Sequence, residues 1–366
     1  GKIKFLGKNV QSSSKFIYKA FYQFEDKSIK KNLLKIKNKE VEKIVKKIKD
    51  IKVLIIGETI IDKYTYVETQ GVSPKSNTLS CITQEEQIMP GGALATYKFL
   101  KSICKNVKLI SLVNENLINK NSYKKIFNNI NGIIKTKDFG GIIKNRIVER
   151  DDQKIKKLLT INNIENKKLS NIDEKKLFNS ISKAINKYDL VIVQDFGHNL
   201  FSDKIIDLIE RKSKKMSLNV QTNSLNYGFN VIGQKFKKTD FYSLDERELE
   251  LFSKKKIIEH EKELNTLNKR LQAKKGFLTC GGKFSLVIEK GKTFKVPTLN
   301  RNAIDPMGAG DIFQGLASVL SCVTNNNFLV LFLSQIAGAH AVNIIGNSDY
   351  PKISEILKTF YFYKSK

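Results

Sequence analysis

The chain is 366 residues long, 41% hydrophobic and 28% charged, with a formal net charge of +29 at pH 7. That length suits one large α/β domain with an appendage, and the hydrophobic share is ordinary for a globular protein. A disulfide scaffold and a zinc ribbon are excluded, because Cys81, Cys104, Cys280 and Cys322 are widely spread and form no C-x-x-C pair.

No run of 18 apolar residues occurs, so neither a membrane-spanning helix nor a membrane partner is expected. The scattered cysteines are consistent with a reducing cytosol, and a cytoplasmic location is expected. The positive charge is nearly all lysine, with arginine only at 146, 150, 211, 247, 270 and 301. Nucleic-acid readers favour arginine and interleaved aromatics; this charge is diffuse, and no specific nucleic-acid partner is expected. The start, Gly1-Lys2-Ile3-Lys4, lacks an initiator methionine and an apolar signal core, and reads as a fragment or a processed end.

Residues 1–50 are set apart from the rest of the chain. A strand-like piece at 3–6 precedes S-S-S-K-F-I at 12–17, and a lysine-rich stretch at 27–49 carries Leu33, Leu34, Ile36, Val41, Ile44, Val45 and Ile48 at helical spacing. It predicts a helix connecting two domains. The main unit then opens with Val53-Leu54-Ile55-Ile56-Gly57, a buried parallel strand feeding a loop. Asp62 lies just past that strand end, where ligands of open α/β sheets sit, and suits hydroxyl groups. Strand-like pieces at 64–67 and 78–83 come without a long helix between them. Gly91-Gly92 then opens a helix and allows close backbone approach to a ligand.

Further buried strands are predicted at 107–113, 190–198 and 217–222, with more exposed ones at 142–150 and 158–161. Arg146 and Arg150 stand out in an arginine-poor chain, and a guanidinium suits a phosphate. Residues 240–249 place Asp245 and Glu248 at a helix start, residues 276–283 form a strand and glycine turn, and 285–296 a hairpin. Small residues punctuate a helix at 328–345 that Gly346 ends. Strands alternating with helices from residue 53 onward, several ending at Gly or Asp, predict a doubly wound, mostly parallel sheet.

The chemistry converges on residues 302–313, N-A-I-D-P-M-G-A-G-D-I-F. Gly308-Ala309-Gly310 lets backbone N–H groups point at one spot beside a helix N-terminus, which attracts a phosphate. Asp311 sets a carboxylate on that rim. An anion hole beside a carboxylate makes sense where a hydroxyl is deprotonated while phosphoryl charge is held.

This stretch resembles the D-T-x-G-A-G-D signature of the PfkB (ribokinase-like) carbohydrate kinases. Gly91-Gly92-Ala93 is similar to the family's G-G-A-x-N-x-A, and residues 240–249 to its T-x-N-x-x-E element. K-N-R-I-V-E-R at 144–150 and D-F-G-H at 195–198 are similar to the family's heptose-phosphate kinase branch, the kinase domain of ADP-heptose synthases. The resemblance implies a ribokinase-like fold over 51–366, its lid strands covering the sugar and offering a homodimer surface. It implies ATP-dependent phosphorylation of a sugar or sugar-phosphate hydroxyl, as part of carbohydrate metabolism, with a heptose phosphate as the nearest substrate class. Asp311 would be the base, and Gly308, Ala309 and Gly310 the anion hole. Asp62, Gly91, Gly92, Lys144, Arg146 and Asp195 would meet the sugar. Asp245, Glu248, Thr279, Gly281 and Asn343 would meet ATP, with Glu248 acting on Mg²⁺ through water. Asp305 would help hold a monovalent cation, K⁺ in this family. The run at 12–17 is similar to the end of cytidylyltransferase-like domains, so 1–50 would be the tail of a fused upstream nucleotidyltransferase plus a connecting helix. Ala95, His198, Phe284 and Met307 depart from the family's residues. They frame a second reading, a non-catalytic sugar- or nucleotide-binding module of the same fold.

Overall fold

The structure is a computed structural model that describes residues 27–365 apart from 138, 152–153, 165–166 and 301. The strand-like piece at 3–6 and the run at 12–17 lie outside the described residues. Two helices come first, α1 (Lys27–Lys35) and α2 (Asn38–Asp50), then β1 (Lys52–Gly57), β2 (Thr59–Val72), β3 (Leu79–Gly92), α3 (Ala93–Lys101) and β4 (Asn106–Asn114). Short helices α4 (Glu115–Asn119) and α5 (Asn121–Lys124) lead to β5 (Ile133–Thr136), β6 (Ile142–Asp151), β7 (Lys154–Ile164), α6 (Asn171–Ala184), β8 (Leu190–Asp195) and α7 (Asp203–Lys212). The remainder comprises β9 (Met216–Val220), β10 (Phe241–Asp245), α8 (Glu246–Ser253), α9 (His260–Arg270), β11 (Lys275–Thr279), β12 (Phe284–Glu289) and β13 (Lys292–Pro297). It closes with α10 (Ala309–Val323), α11 (Asn327–Ala341) and α12 (Ile353–Ser365).

Nine strands form the main sheet in the order β13-β12-β11-β10-β9-β8-β1-β4-β5. It is parallel from β11 to β5, with β12 and β13 antiparallel at one edge. Successive side chains of a strand face opposite sides, and the central strands use both. Val53 and Ile55 of β1 and Leu190 and Ile192 of β8 enter the core under α2, α3, α10, α11 and α12. Leu54, Ile56, Val191 and Val193 enter the other core, under α6, α7 and α9. The doubly wound sheet predicted from alternating strands and helices is what these residues form.

The lysine-rich stretch differs from its expectation in two ways. It makes two helices, not one, and both pack against the main unit. Ile29, Leu33, Ile36, Val41, Ile44 and Ile48 are buried in the same core as α10 and α11. An isolated 13-residue helix is marginal in water. The apolar stripe Val41, Ile44, Ile48 stabilises α2 by docking, while its lysines stay outside. No break in packing therefore falls between residues 50 and 51.

A second sheet, ordered β3-β2-β6-β7, stands over the carboxyl edge of the main sheet as a lid. Its β2–β3 and β6–β7 pairs are antiparallel and β2–β6 is parallel. Registers pair Asp62 with Lys144, Tyr64 with Arg146 and Tyr66 with Val148, so with period two these six share one face. No helix of the described residues is long and apolar enough to cross a membrane.

Candidate active site

The carboxyl ends of β8, β9, β10 and β11, the residues opening α10 and the inner face of the lid enclose a cleft of about 270 Å³. Its walls include Asp62, Gly92, Lys144, Arg146, Asp245, Glu248, Thr279, Gly308, Gly310 and Asp311. Residues distant in sequence thus converge where open α/β sheets bind ligands. A second cleft of about 360 Å³ adjoins it, sharing Asp245, Thr279, Pro306 and Gly310, and running on past Gly281, Gly282, Ala309 and Val342.

Asp311 sits in the first turn of α10 and is almost wholly buried. Its Oδ1 accepts from Gln221 Nε2 at 2.8 Å and from Gln194 Nε2 at 3.2 Å. Burial, then the nearby Asp62 charge, pushes its carboxyl up to about 7, against the pull of Gln221 and Lys144. An acid poised near neutrality is what a general base requires. Gln194 and Gln221 are site residues that motif spacing did not single out as such. Both are polar residues on buried strands or their ends, which is the signal that marks them.

Gly308 caps α10 with φ +78, a left-handed conformation that disfavours L side chains. A Cβ there would lie 2.3 Å from Asn347 Oδ1. Gly308→Ala should therefore cost about 1–2 kcal/mol in backbone strain alone and displace the loop ahead of α10. Thermal melts and turnover, measured together, check this. The first-turn N–H groups of α10 have no partner four residues back within the helix. Ala309 N–H turns back to the Pro306 carbonyl at 3.4 Å, which leaves Gly310 and Asp311 as the groups opening on the cleft.

Asp62 and Arg146 form an ion pair with both side chains nearly inaccessible, and the Arg146 guanidinium lies 5.6 Å from the Tyr64 ring. Gly91 packs directly on Asp62, since a Cβ at Gly91 would lie 2.4 Å from Asp62 Oδ2. Arg146 is therefore committed to Asp62. Lys144 has no ion pair among the described residues. Burial pulls its ammonium pKa down, partly offset by Asp62, Asp311 and Glu58 nearby. Asp195 does not line the cleft. Its carboxylate accepts from Gly197 N–H at 2.8 Å and pairs with Lys235 at 3.1 Å, because the β8 end turns it sideways into the 196–235 segment. The neighbouring Phe196 lines the cleft instead. His198 is also buried, and burial followed by Lys144 pushes its imidazole down to about 4.

Asp245 and Glu248 form a capping box at α8: Glu248 N–H donates to Asp245 at 2.8 Å and Asp245 N–H to Glu248 at 2.9 Å. Glu248 also accepts from Thr222 N–H at 3.2 Å. It is buried; burial and the Asp245 charge push it up to about 8. Asp245, Glu248 and Asp311 are hard oxygen donors that line the first cleft, with Asp245 reaching the second as well. A nearby cation would favour the ionised forms of Glu248 and Asp311, a set that suits Mg²⁺ held largely through water. Thr279 and Gly281 line the second cleft, as does Phe284, but Asn343 does not. Asn343 Oδ1 is taken by Asn300 Nδ2 at 2.8 Å, and it is Asn300 and Val342 that face the space. The chain leaves helix α11 at Ala341, before the expected end, and so rotates residue 343 away.

Asp305 is fully buried and does not offer a cation site. Its two oxygens accept from Lys157 Nζ at 2.8 Å, Met307 N–H at 3.2 Å, Tyr64 O–H at 2.6 Å and Gly346 N–H at 2.8 Å. A carboxylate has about four lone-pair sites, and all are used.

The fold and this pair of adjoining clefts define a ribokinase-like α/β protein. Residues 162–327, a little under half of the chain, match the family described as pfkB family carbohydrate kinase. Curated relatives carry the name bifunctional protein HldE. That of Aliarcobacter butzleri is 22% identical over 296 residues, 78% of this chain and 60% of the relative. That of Helicobacter pylori strain HPAG1 is 22% identical over 341 residues, covering 86% and 71%. The chain thus spans about 60% of the length of the first of these relatives. Among solved structures, Thermotoga maritima ribokinase superposes with a TM-score of 0.60 at 20% identity, covering 85% of this chain and 99% of that one. Escherichia coli phosphofructokinase-2 in complex with substrates and products gives 0.65 at 12%, covering 86% and 100%.

Proposed function

We propose that this chain transfers the γ-phosphoryl group of ATP to a hydroxyl of a sugar phosphate, with Asp311 as the base. The observation that carries this is the placement of one buried carboxylate, raised to about 7, in the helix turn shared by two adjoining clefts. The sugar lies in the cleft under the lid, against Asp62 and the glycine loop at 91–92. The nucleotide lies in the second cleft, along Thr279 and Gly281. Asp311 Oδ2 accepts no hydrogen bond among the described residues; it takes the hydroxyl proton, while Gln194 and Gln221 fix the carboxylate through Oδ1. The opening N–H groups of α10 hold the charge that develops on the transferred phosphoryl group. Bound Mg²⁺, near Asp245 and Glu248, would neutralise charge on the ATP oxygens. Lys144, free of an ion pair among the described residues, meets the phosphate already on the substrate. The K-x-R run it belongs to and the relatives' shared name favour a heptose phosphate.

ADP release, screened over sugars and sugar phosphates with a heptose 7-phosphate first, tests the reading. Mg²⁺-dependent turnover with one of them supports it. ATP binding without turnover on any of them would leave the non-catalytic module. As a pH prediction, log kcat/KM should rise about one unit per pH unit below pH 7 and level off above it, because Asp311 must lose its proton first. A profile flat from about pH 5 to 8 would exclude Asp311 as the base. A cytoplasmic setting and a nucleotidyltransferase upstream of residue 1 belong to the same proposal; reading the gene upstream of Gly1 tests the latter.

A further inference from the structure

The Asp305 carboxylate is held from the lid, by a residue that only a defect in strand register delivers. In the β6–β7 pair, Ile147 faces Leu159 but Val148 faces Lys157, so Leu158 is an unpaired bulge residue. Regular pairing would set Leu158 opposite Val148 and turn Lys157 to the outer face, since one residue of slip exchanges the faces. The bulge instead puts Lys157 on the inner face, with Val148, Tyr64 and Arg146. From there Lys157 Nζ reaches Asp305 Oδ1 across 148 positions of sequence. Its side chain keeps about a third of its exposure, whereas Asp305 has none. Burial alone would raise the Asp305 carboxyl, but Lys157 and Tyr64 outweigh it and hold it below the ordinary aspartate value. Asp305 in turn accepts from Met307 N–H, directly before Gly308.

We infer that Lys157 is a positioning residue whose tethered ammonium replaces a free monovalent cation at Asp305, so that the lid itself sets the loop ahead of the anion hole. The inference rests on the kinase reading for its activity arm, but its binding arm stands without it. Turnover then needs no added K⁺, and removing the ammonium creates a cation dependence that the native chain lacks.

The test compares the full chain with Lys157→Ala in KCl, NH₄Cl or choline chloride at equal ionic strength. Thermal melts and the affinity for a non-hydrolysable ATP analogue are read alongside ADP release. The native chain should behave alike in all three salts. In choline, the variant should melt lower by about 2 °C or more and turn over about 10- to 100-fold more slowly, as expected of a loop misplaced by an ångström. KCl and NH₄Cl should restore both the melt and kcat, with KM little changed. A native chain stabilised or activated by K⁺ would overturn the inference, as would a variant that loses stability without cation rescue or loses nothing. If no substrate is ever turned over, the kinase reading fails, yet cation-specific rescue of the melt still decides this one.

Discussion

Asp311→Asn should lower kcat by about 10²- to 10⁴-fold, the range a positioned general base supplies, and at the same time make the protein more stable above neutral pH. The amide keeps an oxygen to accept from Gln221 and Gln194, so the local hydrogen bonds survive. What it removes is a buried charge. Between about pH 4 and 7 the folded chain keeps a proton on Asp311 that the unfolded chain releases, because the folded value is about 7 against 3.8 for the free side chain. Stability therefore falls through that window as pH rises, and the whole cost is present above it. At about 1.4 kcal/mol per unit the ceiling is about 4 kcal/mol. The variant should thus match the native chain at about pH 4 and exceed it by roughly 2–4 kcal/mol at about pH 8. Denaturant melts at the two pH values, with ATP-analogue binding to show an intact nucleotide site, check it. A variant that turns over normally would remove Asp311 from the chemistry.

Arg146→Met should be the most destabilising single change at the lid, at about 3–5 kcal/mol, because it leaves the buried Asp62 carboxylate without its partner. Both side chains are nearly inaccessible, at 6% and 9%, so solvent does not screen the loss. The arginine also packs on the Tyr64 ring, whose hydroxyl holds Asp305, and its removal should raise the KM of the sugar as well. Asp62→Leu added to Arg146→Met removes the orphaned charge and should recover most of the stability, since hydrophobic replacement of a buried pair is often neutral. It should not recover sugar affinity, because Asp62 is then absent. Denaturation midpoints for the single and double variants separate these effects; a double variant as unstable as the single one would mean that the packing of Arg146, not its charge, is what matters.

The site residues legible in the sequence are those whose chemistry is local. Gly308 through Asp311 read as an anion hole because a helix start after small residues has unsatisfied N–H groups wherever it lies in a fold. The lid strands are legible for the same reason, from short β-rich runs with no long helix between the first two. Asn343 is not, because its direction depends on where α11 ends, and the early end at Ala341 sends it to Asn300. The stretch 27–49 reads as a connector in sequence yet docks in the core, because periodicity shows an apolar face without showing what covers it.

The sequence by itself determined the alternation that makes the doubly wound sheet, the glycines that allow the turns at 91–92 and 308, and the acid at the start of α10. These arise from backbone sterics and side-chain period, which act over a few residues. Only the tertiary structure decided which charges meet. It spent Arg146 on Asp62, 84 residues away, turned Asp195 out of the cleft toward Lys235, and filled the Asp305 site with Lys157. Charge pairing and proton affinity depend on burial and on distances set by folding, and a single bulge residue at Leu158 is enough to change which ion holds Asp305.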